Sequence, residues 1–159
     1  MGKQNLAQNI HIVPLVAPAQ YTSTQTSGHI NMKLYEKVEF IISVGAIAAD
    51  NFTWTLTQSA ATAGSSSTAI AANYRLTAAA GTDTMGATTA LTTSGVAITN
   101  GTHENMLFIV DVDSSQLTTA SKPYVGITVT DAGSGDAFFG IVALCWPKYP
   151  KETNDSALT

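Results

Sequence analysis

The sequence predicts an all-β chain, a single-domain antiparallel β-sandwich of jelly-roll type with about eight strands. Three observations carry that expectation. Phe52, Trp54 and Leu56 alternate strictly with Thr53, Thr55 and Thr57, the period-two signature of a strand with one buried and one wet face. Similar runs recur at intervals of about 8–12 residues, bounded by Gly, Asn, Asp and Ser, which is the spacing of sandwiches and jelly rolls. No segment of helical period competes with them over a convincing length.

Taken in order, residues 1–9 are polar and without period and read as an N-terminal arm. Ile10, Ile12 and Leu15 begin a first strand, in which Pro14 marks an edge or a bulge because it cannot donate a ladder hydrogen bond. A Thr/Ser/Gln connection leads to a short strand around Ile30 and Met32. Val38, Phe40, Ile42 and Val44 then share one face, with Ile41 on the other, and predict a central strand ended by Gly45. The Phe52–Thr57 strand follows. Ala60 to Thr68, with Gly64-Ser65-Ser66-Ser67 at its middle, reads as a flexible loop tip.

Ile70, Ala72, Tyr74 and Leu76 alternate next. The Ala/Thr/Gly-rich stretch from Ala78 to Gly95 leaves room for short strands around Thr88–Thr92 and Val96–Ile98. Met106, Phe108, Val110 and Val112 form a clear strand that ends in the turn Asp113-Ser114-Ser115-Gln116-Leu117. Val125, Ile127 and Val129 make another, stopped at Asp131-Ala132-Gly133-Ser134-Gly135. The last runs from Ala137 to Trp146, and Pro147 ends it. Residues 10–149 are thus the sandwich and residues 150–159 a frayed polar tail. Phe40, Trp54, Phe108, Ile127 and Val142 are the expected core.

Composition bounds the function. At 159 residues the chain is one domain with enough length to bury a core. Charged residues make up 11%, against roughly 25% in an average protein. Between Asp50 and Glu104 the only formal charges are Arg75 and Asp83. Surface so poor in charge is weakly protected against self-association. The net charge of −4 and the scattered lysines argue against nucleic acid. The longest apolar run is half a membrane span, and the N-terminus has neither the apolar stretch of a secretory signal nor a complete myristoylation motif, since Leu6 stands where Ser or Thr belongs.

Chemistry-bearing residues are few. His11, His29 and His103 lack the close Cys or His partners of a zinc site, so no metal and no cofactor is expected. Asp111 and Asp113 share a strand face and read as a solvent-facing pair leading into a turn. Asp131 and Asp136 flank a hairpin turn without the other ligands of a calcium loop. Cys145, alone in an apolar strand, reads as a buried inert thiol. The sequons at Asn51, Asn100 and Asn154 read as chance. With no nucleophile elbow and no phosphate loop, no enzyme and no catalytic residue is expected. Tyr21, Tyr35, Tyr124, Tyr149, Trp54 and Trp146 could furnish a sugar platform, although both tryptophans fall on strand faces that read as buried.

Four segments in this order carry a resemblance: Tyr35–Gly45, Ala72–Thr77, Ile109–Asp113 followed by Leu117, and Trp146-Pro147-Lys148-Tyr149. Together they resemble head decoration (auxiliary or cement) proteins of tailed bacteriophages with a jelly-roll fold, over roughly Ile10 to Tyr149. The resemblance implies a structural virion protein, made in the host cytoplasm, that binds the capsid exterior and stabilises the head. Its implied partners are the major capsid protein and copies of itself, as a homotrimer, with no nucleic acid, membrane or cofactor. The arm residues Lys3, Gln4, Asn5, Gln8 and Asn9 are the expected capsid contacts, because a polar segment outside the core needs partners to be ordered. The alternatives are another phage jelly roll (tail, neck or host attachment) and a carbohydrate-binding module.

Overall fold

A computed structural model of the chain describes residues 9–48, 52–131, 133, 135–149 and 156–158. Twelve strands occur among them: β1 (His11–Tyr21), β2 (Gln25–Thr26), β3 (Ile30–Asn31), β4 (Tyr35–Ile47), β5 (Phe52–Ser59), β6 (Thr68–Ala69), β7 (Ala72–Leu76), β8 (Thr89–Leu91), β9 (Val96–Ile98), β10 (Met106–Asp113), β11 (Tyr124–Asp131) and β12 (Ala137–Pro147). They form two antiparallel six-stranded sheets. The first has the order β1-β12-β4-β10-β7-β8; the second has β2-β11-β5-β6, with β3 also on β11 and β9 also on β5.

The sandwich expected from the sequence is the one observed, and the excess over eight strands has a simple cause. Two sheet positions are each broken into short pieces, β2 with β3 along β11 and β6 with β9 along β5. Counting each pair once leaves ten positions, and apart from β7 and β8 they are eight, with β1, β12, β4 and β10 facing β2/β3, β11, β5 and β6/β9. That is the two-sheet crossover order of a jelly roll. The β7–β8 pair extends the first sheet beyond it. Ile70, Ala72, Tyr74 and Leu76, which read as one alternating strand, straddle the crossing from β6 in one sheet to β7 in the other.

Between the sheets lies one core. Phe40, Trp54, Phe108 and Ile127 are fully buried in it, as the alternation requires. Trp54 meets Tyr74 and Phe108 edge-on, with ring centroids 5.6 and 5.7 Å away. Gly95, at φ +78°, lets β9 approach β5 so closely that a Cβ would collide with the Trp54 carbonyl oxygen.

Two core assignments change. In β12 the odd residues Phe139, Ile141, Ala143 and Cys145 face inward, so Val142 points to the outer face and is only half-buried. Trp146 follows the same parity and is half-buried, its ring 5.2 Å from the Lys37 ammonium. In β1 it is Val13 that faces the core, and Ile12, paired with Leu144, points out. The tail is also not simply frayed. Ala157 is buried with the core, and its carbonyl accepts the Asn31 amide at 2.9 Å.

Candidate functional site

The outward faces of the two sheets differ sharply in chemistry. On the first sheet, the register brings Pro14, Val142, Ile41 and Ile109 into one row across four adjacent strands, and Arg75 of β7 ends it. Ile12 and Leu144 stand beside that row, and Leu107 and Phe138 extend it toward the other end of the strands. Ile12, Leu107 and Phe138 are 43%, 37% and 44% exposed, far above the core residues they alternate with. Strand β12 is therefore apolar on both faces, a pattern normally found in strands covered on both sides, while β4 and β10 present Ile41, Leu107 and Ile109 outward among Lys37, Glu39, Ser43, Asp111 and Asp113.

A polar corner adjoins this face. Lys37 Nζ lies 2.7 Å from Glu39 Oε1 and 2.9 Å from Asp111 Oδ1, and the hydrogen bond to Glu39 is the main reason its pKa is raised. Asp113, next on the same face of β10, caps a 3₁₀ turn at Ser114–Gln116. It accepts the Ser115 amide at 2.8 Å while Gln116 Oε1 accepts the Asp113 amide at 2.7 Å. The bonds from Ser115, its backbone amide first and its side chain second, hold the Asp113 carboxyl below the usual range. The acidic pair read from the sequence is thus an ion-pair partner and a turn cap.

The second sheet shows threonine instead. Thr53, Thr55 and Thr57 of β5 face outward beside Thr130, Thr128 and Gly126 of β11. His29 lies flat over Gly126, where a Cβ would come within 2.7 Å of the ring. Its Nδ1 stands 3.0 Å from the Ser27 carbonyl and its Nε2 2.9 Å from Thr57 Oγ1. A carbonyl can only accept, so Nδ1 carries the proton and Nε2 accepts from the Thr57 hydroxyl. Burial lowers the pKa of this imidazole. The Ala60–Thr68 loop folds over it: the Thr62 carbonyl accepts the His29 amide, Ser59 Oγ donates to the carbonyls of Ala61 and Ser65, and Lys122 reaches Ser66 and Thr68. This segment is a closed lid on the sheet, where the sequence reads as a flexible tip.

The other candidates are placed separately. His11 Nδ1 is 2.6 Å from Tyr35 Oη at the start of β1, and His103 Nδ1 accepts the Thr99 amide. Among the described residues no three His, Cys, Asp or Glu side chains could together hold a metal. Asp131 accepts the Gly133 amide, as hairpin turns require, and Asp136 accepts from Gln20. Cys145 is fully buried with its thiol pKa pushed up to about 12, which removes its nucleophilicity at neutral pH. Of the six candidate platform residues, Trp54 and Tyr35 are buried, Tyr21 packs on Phe139, Tyr124 and Trp146 are half-buried, and Tyr149 is exposed. They form no shared platform. Asn9 is exposed, whereas Lys3, Gln4, Asn5 and Gln8 lie outside the described residues. No described helix is long and apolar enough to cross a membrane.

The apolar row on the first sheet is what sequence reasoning missed. Its signal was present in Ile41, Leu107, Ile109, Val142 and Leu144, which occupy the off-beat positions of strands already apolar on the beat. Fold and surface together define a jelly-roll sandwich whose distinctive features are two extended faces. No protein-family model matches the chain, and no curated protein matches it either.

Proposed function

We propose that this chain is a structural protein of a tailed-phage virion that binds the outside of the head and stabilises it. One observation carries most of the weight: the eight-position jelly-roll order, an architecture much used in virus shells. The resemblance of Tyr35–Gly45, Ala72–Thr77, Ile109–Asp113 and Trp146–Tyr149 to decoration proteins points the same way. So does the distribution of potential contact surface, which lies on broad sheet faces. Broad, repeated contacts suit a protein that acts in many copies, because linkage across a lattice multiplies weak individual affinities.

The test mixes purified protein with undecorated heads of the phage that encodes it and follows co-sedimentation and heat-induced genome release. Saturable binding at a fixed number of copies per head, with release shifted to higher temperature, is the expected result. Labelling of tails or host cells without labelling of heads would move the protein to another part of the virion.

A further inference from the structure

The outer face of the first sheet carries an apolar row, Pro14, Val142, Ile41 and Ile109, with Ile12, Leu144, Leu107 and Phe138 beside it, whereas the outer face of the second sheet carries threonine. We infer that a second copy of this chain packs on that face, centred on Ile41, Val142 and Ile109. The partner is argued from three features. The first is extent. Five strands spaced about 4.8 Å apart and four rows of outward side chains about 6.7 Å apart give a face of about 500 Å², apolar at its centre, with Glu39, Asp111, Ser43, Asn73 and Arg75 among its residues. Two copies would then bury about 1,000 Å² together, the lower bound of a stable specific interface.

Charge is the second feature. At one corner Glu39 and Asp111 share the single Lys37, leaving an acidic excess. Arg75 ends the apolar row on the neighbouring strand, and its Nε donates only to Thr88 Oγ1. Among the described residues the ion pairs are those two of Lys37, so Arg75 has none. One face therefore carries both an unpaired cation and an acidic excess, so a second copy of the same face supplies what the first lacks. Shape is the third. Sheets pack face to face when both carry the same twist and an apolar surface, and a second copy meets both conditions by identity. This inference concerns the chain alone and stands whether or not the protein decorates heads.

The experiment is sedimentation of the full chain between about 1 and 100 µM, with far-ultraviolet circular dichroism as the check on folding. The native chain should associate, and Ile41→Lys should weaken association at least tenfold while keeping the β spectrum. Arg75→Glu, at an exposed position of β7 that points away from the core, should weaken it severalfold. Thr55→Lys, on the opposite outer face, should leave it unchanged. A native chain that stays monomeric at 100 µM overturns the inference. So does an oligomer that survives both Ile41→Lys and Arg75→Glu, or one dissolved by Thr55→Lys alone.

Discussion

At the residue scale, Trp54 and His29 show what local sequence can and cannot reveal. Trp54 sits on the beat of a strict apolar–threonine alternation, so its burial was legible, and its exposure is in fact zero. Its Nε1 has no hydrogen-bond partner among the described residues, a cost offset by the edge-on contacts to Tyr74 and Phe108. Trp54→Ala should cost about 3–5 kcal/mol in urea unfolding, since a cavity of that size cannot collapse within a sandwich. A loss below about 1 kcal/mol would contradict full burial. His29 was not legible, because what buries it comes from Gly126 and the Ala60–Thr68 loop, both remote in sequence. The contacts around its ring (Ser27, Thr57, Gly64 and Gly126) include no charged group. Protonation would let Thr57 turn its hydroxyl toward the Gly126 carbonyl, 3.3 Å away, but would leave a buried charge without a counterion. The folded-state pKa is therefore below the ordinary 6.5. Above pH 6.5 both folded and unfolded chains carry a neutral imidazole and the group has no effect. As pH falls below 6.5 the unfolded chain binds the proton first, so stability declines until the folded pKa is reached. Urea midpoints between pH 7.5 and 4.5 should show this decline, with a smaller contribution from His103, whose pKa is also lowered by burial. His29→Gln should flatten the slope; an unchanged slope would place the titration elsewhere.

At the element scale, legibility followed the number of apolar faces. Strand β5 has one apolar face and one of threonine, so period two announced both its type and its orientation. Strand β12 is apolar on both faces, so periodicity could identify a strand but not assign its faces. That is why Val142 was expected in the core and stands outside it. The short strands β2, β3, β6 and β9 carry two or three residues each and have no period to read; pairing with β11 and β5 alone defines them. The C-terminal segment is similar. Its polar composition predicts fraying, yet Ala157 is buried and its carbonyl accepts the Asn31 amide beside β3. Removing residues 150–159 would expose the surface under Ala157 and leave that amide without its partner. The expected loss is about 1–3 kcal/mol, read as a lower urea midpoint. An unchanged midpoint would mean that the contact contributes nothing to stability.

At the scale of the whole molecule, charge is divided between the two ends of the sandwich. Asp83, Glu104, Asp131 and Asp136 gather where β4 ends and β5 begins, with no basic residue described there. Lys33, Lys37, Lys122 and Lys148 stand at the opposite end, where β12 finishes and β1 starts, balanced by Glu36, Glu39, Asp111 and Asp113. Strand β1 starts at this balanced end, where its ladder opens with His11 opposite Cys145. Among the described residues the core begins at Val13, so deleting residues 2–9 should leave thermal unfolding unchanged within about 1 °C. The same deletion should weaken attachment to undecorated heads, because it removes Lys3, Gln4, Asn5, Gln8 and Asn9, the expected contacts. Raised salt should weaken attachment of the full chain more than that of the truncated one, since screening acts on whichever exposed charges form the contact. Equal affinity and equal salt dependence for the two chains would exclude the arm as a contact and leave the sheet faces to carry attachment.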